Sequence, residues 1–269
     1  MAPSVRRGEN PYAERLFVVS SAEELARAAA GRLWGIVRER AAVLARGGKP
    51  ASRIHMALSG GETPRRTYEI LSAEPYRARF PWERVHFYQV DERWVPPADP
   101  RNNRRMLQET LLSRAAVPES HVHFVDTGFS CPSEGARRYE EALRAEFPVP
   151  PGGFPRFDAI LLGIGKDGHT ASLFPGMPET AVGNAWVVAS EGGEPPVSRV
   201  TLTLPVLSAA AQVIFLVSGA EKAQALYSVL SGDPALPASQ VSPARGKVTF
   251  LADEAAASLA IRKDGGGRR

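Results

Sequence analysis

An uninterrupted apolar run, Ala159-Ile160-Leu161-Leu162, stops at a glycine-rich turn, and this junction constrains the fold more than any other stretch of the chain. Gly163, Gly165 and Gly168 fall within six positions and let the backbone turn sharply. Asp167, His169 and the hydroxyls of Thr170 and Ser172 arrive together there. The pattern is that of a buried strand delivering a titratable side chain to the rim of a sheet.

The same grammar recurs along the chain. Leu16 to Val19, Ile54 to Leu58, Val85 to Val90, His121 to Val125, Phe157 to Leu162, Trp186 to Ala189, Val200 to Leu204, Val213 to Val217 and Lys247 to Leu251 read as strands. Helical stretches lie between them. Ser20 or Ser21 caps an Ala-rich helix with Glu23 and Glu24 in its first turn, and Gly47-Gly48 ends it. Thr63 is the expected N-cap of the next helix, with Pro64 at its first position. Further helices are expected near Asn103 to Leu112, over Ser133 to Phe147, after Gly219 and over Asp253 to Leu259. Strands alternating with helices predict an α/β fold with a mainly parallel sheet. No internal repeat or long linker divides it, so one α/β domain is expected over residues 16–260. Residues 1–15 read as an arm and 261–269 as a flexible Gly/Arg tail.

Charge and cysteine usage narrow the partners. The formal net charge of +4 comes from arginines that are scattered rather than clustered, which favours a small anionic ligand over nucleic acid. A single cysteine, Cys131, excludes an internal disulfide framework and is compatible with a reducing cytoplasm. Met1 to Asn10 contains no apolar secretory core. Val200 to Ala220 has no charged residue, but Pro205, Thr201, Thr203, Ser208 and Gln212 suit a buried strand, turn and strand better than a membrane helix.

Four stretches with chemical potential sit just past expected strand ends, where open α/β sheets bind ligands. In Ser59-Gly60-Gly61-Glu62-Thr63-Pro64, two glycines and a capped helix start provide backbone N–H donors for an anion such as phosphate; the plain alternative is a turn needing glycine only for geometry. In Asp91-Glu92-Arg93, extended backbone projects Asp91 and Arg93 to one side and Glu92 to the other. An Asp there can orient water, a hydroxyl or an imidazole, and an Arg can hold phosphate or carboxylate; a surface ion pair is the alternative. The third stretch carries His169, an imidazole able to take a proton from water near neutral pH. The fourth, Ser218-Gly219-Ala220-Glu221-Lys222, puts Lys222 in a helix's first turn, where an anion would offset the dipole, and Arg199 opens a strand as a second cation. Ser59 and Ser172 lack a nucleophile-elbow context. His55 and His86 read as packing residues inside strands. His121 and His123 share a strand face, but no further ligands stand at recognisable spacing, so no metal site is expected.

Taken in order, these motifs resemble the 6-phosphogluconolactonase family. The resemblance rests on Ser59 to Pro64, then Asp91-Glu92-Arg93-Trp94-Val95-Pro96 with Asn103 downstream, and the specific segment Asp167-Gly168-His169-Thr170-Ala171-Ser172-Leu173-Phe174-Pro175. Arg199-Val200-Thr201 and Ser218 to Lys222 complete it. Asn102 stands where the family often has Ser. The resemblance implies a modified Rossmann-type sheet similar to glucosamine-6-phosphate deaminase. It also implies cofactor-free, metal-free hydrolysis of 6-phosphoglucono-1,5-lactone in the pentose phosphate pathway. The family's catalytic histidine carries over to His169, its acidic and cationic contacts to Asp91, Arg93, Arg199 and Lys222, and its glycine loop to Gly60, Gly61 and Thr63, with Ser59 beside them. Loop amides or an Arg would meet the oxyanion. The implied partner is the small sugar-phosphate lactone, with neither nucleic acid nor membrane, in a cytoplasmic monomer or weak homo-oligomer. The rival deaminases continue their histidine loop with Phe-Asn-Glu-Pro, where this chain has Ser172-Leu173-Phe174-Pro175, and favour an aromatic residue where Arg93 stands. A non-catalytic sugar-phosphate sensor would need a DNA-binding domain, for which there is no room before residue 50.

Overall fold

The computed structural model describes residues 12, 14–48, 52–115 and 117–261, so the expected arm and tail lie almost wholly outside the described residues. Among the described residues ten strands are formed in chain order: β1 (Leu16–Val19), β2 (Ile54–Leu58), β3 (Val85–Gln89), β4 (Asp91–Arg93), β5 (Val122–His123), β6 (Ala159–Gly163), β7 (Val187–Gly192), β8 (Val197–Leu202), β9 (Gln212–Val217) and β10 (Lys247–Asp253). Seven of them build one sheet in the order β1-β10-β9-β6-β2-β3-β5, and every neighbouring pair in it is parallel. The expected mainly parallel α/β architecture is therefore present.

The apolar continuity of the central strands follows from cover on both faces. Along β6, Leu161 packs into a core with Leu33, Met56 and Phe87, while Leu162 packs into another with Tyr88, Tyr139 and Phe215. The long helix Ala22–Arg46 covers the first face, and the helices Pro132–Glu146 and Ala223–Leu230 cover the second. Ser21 caps the long helix by accepting from the Glu24 backbone N–H.

Chain order reverses between β2 and β6: β2, β3 and β5 progress one way across the sheet, and β6, β9 and β10 the other. This switch point leaves a crevice at the C-terminal strand ends. At Val90 the chain leaves the main sheet, and Asp91–Arg93 starts a second, antiparallel sheet in the order β4-β8-β7. The second sheet hangs over the crevice and brings Arg199, on β8, to it.

Several local expectations are corrected. The helix after the glycine loop starts at Glu62 with Gly61 at its cap, φ 107°, so Thr63 lies inside the first turn. Gly61 holds the cap in a conformation that only glycine takes without strain. Val200 to Ala220 contains a short helix, Leu204–Ala209, between two strands. The segment after β10 forms consecutive turns rather than a helix. Among the described residues no helix is long and apolar enough to cross a membrane.

Candidate active site

Strands β3, β2, β6 and β9 are consecutive in the sheet, so the loops leaving them open along one edge. They meet in a cleft of ≈ 190 Å³ lined by Ser59, Gly60, Gly61, Asp91, Arg93, Asn103, Gly165, His169, Arg199 and Lys222, among others. Of the residues that the sequence assigns to catalysis or substrate binding (Ser59, Gly60, Gly61, Thr63, Asp91, Arg93, His169, Arg199 and Lys222), Thr63 alone is missing from the lining.

His169 is held from both sides. Its Nδ1 lies 2.6 Å from Oδ1 of Asp167, and its backbone N–H donates to the same oxygen at 3.1 Å. Gly168, at φ 83°, folds the chain so that two residues separated by one position can bond in this way. A side chain at Gly165 would place its Cβ 2.0 Å from Nδ1 of His169, so glycine there makes room for the ring. The Phe174 ring packs 4.6 Å away, centroid to centroid. Burial pushes the imidazole pKa below its usual value, against the opposing pull of Asp167 and Asp91. The Asp167 carboxyl is itself held below its ordinary range: burial raises it, and the charge and hydrogen bonds of His169 outweigh that. With Asp167 ionised, Nδ1 carries the ring proton and Nε2 is the basic nitrogen.

The alternation expected for Asp91-Glu92-Arg93 is realised on β4. Asp91 and Arg93 line the cleft, whereas Glu92 is fully buried behind it. Glu92 accepts the backbone N–H groups of Arg93, Asn103 and Arg104 at 2.8, 2.7 and 2.8 Å and the Gln89 amide at 2.6 Å. It thereby pins the start of the helix Asn103–Leu107. Burial still raises its pKa, more than those donors lower it. Asn103 in turn donates to the Asp91 carbonyl at 3.1 Å and lies where any Cβ on Gly60 would fall, 1.8 Å from Oδ1.

Asp91 does not touch His169; its partner is Ser172, whose hydroxyl donates to Oδ2 at 2.6 Å. The same hydroxyl accepts from Arg199 at 3.3 Å, and Arg199 lies 4.0 Å from Asp91. Ser172 reaches this position because Ala171 adopts φ 52°, the one positive φ outside glycine among the described residues. That conformation costs about 1 kcal/mol or more and marks a locally over-determined turn. Two of the residues that distinguish this loop from the deaminase pattern, Ser172 and Phe174, thus position Asp91, Arg199 and the His169 ring.

The cations converge as well. Arg93 and Arg199 stand opposite each other in the β4–β8 register. Like charges so paired are unfavourable unless an anion joins them. Lys222, at the end of a short 3-10 turn after Gly219, is half-buried, and its pKa is lowered chiefly by burial. The Ser59 hydroxyl is committed to the Leu161 carbonyl at 2.7 Å, stitching β2 to β6, so Ser59 faces the cleft without offering that proton. Asp167, Ser172 and Glu92 are the positioning residues that sequence reasoning missed. Asp167 alone had a local signal, a carboxylate one glycine away from the histidine.

The family model described as glucosamine-6-phosphate isomerases/6-phosphogluconolactonase matches residues 20–250. The chain is 40% identical over 205 residues to the 6-phosphogluconolactonase of a Synechocystis species, which covers 75% of this chain and 82% of that protein. The solved 6-phosphogluconolactonase of Trypanosoma brucei superposes with a TM-score of 0.78 at 29% identity, covering 95% of this chain and 99% of that one. A monomeric glucosamine-6-phosphate deaminase superposes at 0.73 and 21% identity, covering 91% and 99%, and shares the fold.

Proposed function

The chain belongs to the family of glucosamine-6-phosphate isomerases and 6-phosphogluconolactonases, and from that premise we propose that it hydrolyses 6-phospho-D-glucono-1,5-lactone to 6-phospho-D-gluconate, with His169 as the general base. The observation that carries this reading is the Asp167–His169 bond at the edge of a cleft that also holds Arg93, Arg199 and Lys222. It supports a neutral imidazole with Nε2 as acceptor beside an anion-binding wall.

Nε2 takes a proton from water as the water oxygen bonds to the lactone carbonyl carbon, giving a tetrahedral oxyanion. The imidazolium, stabilised by Asp167, then protonates the ring oxygen as the carbon–oxygen bond of the ring breaks. The product is a hydroxyl and a carboxylic acid, which ionises. Asp91, fixed by Ser172, is suited to accept a hydrogen bond from a sugar hydroxyl. The substrate phosphate is assigned to Lys222 and the arginine pair, with the amides of Gly60 and Gly61 as further donors. Thr63, inside the helix, is dropped from this set.

Deamination of glucosamine 6-phosphate is the competing reading, and the segment Ser172-Leu173-Phe174-Pro175 argues against it. The purified chain should accelerate acid release from the lactone above its spontaneous hydrolysis and release no ammonia from glucosamine 6-phosphate. The opposite pattern would overturn the assignment.

A further inference from the structure

His55 and His86 lie near the starts of β2 and β3, whose far ends build the cleft, and His121 and His123 lie beside and on β5, the next strand of the sheet. In the sheet register His55 sits beside His86, and Tyr88 beside His123. With a period of two along each strand, these side chains share one face of the sheet. Nδ1 of His86 and Nε2 of His123 are 2.8 Å apart, and Oε2 of Glu146 is 4.0 Å from the former. One ligand atom from each of the three residues lies within 4.8 Å of the others.

We propose that His86, His123 and Glu146 form a binding site for a divalent transition-metal ion, with zinc the best match to two imidazoles and a carboxylate. Zinc–ligand bonds of about 2.0–2.1 Å place donor atoms of a tetrahedral site about 3.3–3.5 Å apart. The separations of 2.8 and 4.0 Å lie on either side of that value and none exceeds 4.8 Å, so shifts on the order of an ångström close the site. Both rings are already oriented by stacking: His121 lies 4.3 Å from His86 and Tyr88 4.5 Å from His123, centroid to centroid, with interplanar angles of 20° and 8°. Fixed rings lose little freedom on binding.

Metal binds the neutral imidazole, and the proton now shared between Nδ1 of His86 and Nε2 of His123 moves on binding to the remote nitrogen of its own ring. Glu146 is the last residue of its helix, where the negative dipole end adds to the carboxylate's attraction for a cation. Arg53 pairs with Glu146 and partly satisfies it, so Arg53 is the group that opposes the metal. Glu146, Arg53 and His55 also line a groove of ≈ 740 Å³ beside the site.

The test is titration of the untagged chain with Zn²⁺ against a chromogenic chelator. One ion per chain is expected. His123→Ala should weaken binding at least tenfold, Arg53→Met should tighten it about two- to tenfold, and His169→Ala should leave it unchanged. No binding by the native chain overturns the proposal, as does loss of binding in His169→Ala with retention in His123→Ala. Should His123→Ala fail to fold by circular dichroism, Arg53→Met decides: its side chain is half exposed, and unchanged affinity there counts against the site.

Discussion

Oδ1 of Asp167 lies 2.6 Å from Nδ1 of His169, across a single glycine. This bond assigns the tautomer of the proposed base, and Asp91, for which the sequence left an imidazole, a water or a hydroxyl as partner, makes its short contact to Ser172. Proton handling and substrate contact are thereby divided between two carboxylates on different elements.

Asp167→Asn should lower kcat at least ~10-fold, because a carboxamide can neither enforce the Nδ1–H tautomer nor stabilise the imidazolium. The carboxylate also raises the His169 pKa, so its removal lets that pKa fall further. The acid limb of the kcat/KM profile should therefore move to lower pH. A limb that stays in place or moves up would remove Asp167 from this role.

His169→Ala should lower kcat by about 10²–10⁴ with little change in KM, the usual contribution of a general base. In the native chain, burial lowers the His169 pKa. The base form therefore survives to lower pH than in a free imidazole, so the acid limb of the kcat/KM profile should lie below that of an unperturbed histidine. Unaltered turnover in the alanine variant would show that the base is another group.

Gly165→Ala should retain the fold but displace the imidazole, since the new Cβ would fall 2.0 Å from Nδ1. A misplacement on the order of 1 Å can cost about 10²-fold in rate. Rate measurements paired with circular dichroism would check this, and full activity would mean that the ring position is not limiting.

Lys222→Met and Arg199→Ala should mainly raise KM, each by about 10- to 100-fold if it removes one charge-assisted bond to phosphate. Arg199→Ala should lower kcat as well, because Arg199 also holds Ser172 beside Asp91. Flat KM in both variants would locate the phosphate elsewhere.

Lactone hydrolysis should be unchanged by a strong chelator, since every step proposed uses side chains of the chain itself. Loss of activity that Zn²⁺ restores in the native chain and also in His123→Ala would require a metal in the reaction.

Periodicity and turn chemistry made much of this architecture legible. Apolar runs such as Ala159 to Leu162 declare buried parallel strands because their side chains meet cover on both faces, and glycine-rich turns after them mark where a ligand can approach. The alternation in Asp91-Glu92-Arg93 correctly separated the two cleft-facing residues from the buried Glu92. Thr63 has side-chain chemistry that suits a cap, but the positive φ at Gly61 places the helix start two residues earlier. The second sheet was not legible, since pairing of β4 with β8 joins segments about a hundred residues apart and leaves no local trace.

The sequence by itself determined the strand–loop–helix order, the four reactive loops and the histidine among them, because these rest on local propensity and on patterns a few residues long. Tertiary structure alone decided which acid serves His169, that Ser172 couples Asp91 to Arg199, and that His86 and His123 meet Glu146. Those relations depend on φ at single positions and on register between distant strands. Both are set by packing of the whole sheet, not by the residues that profit from it.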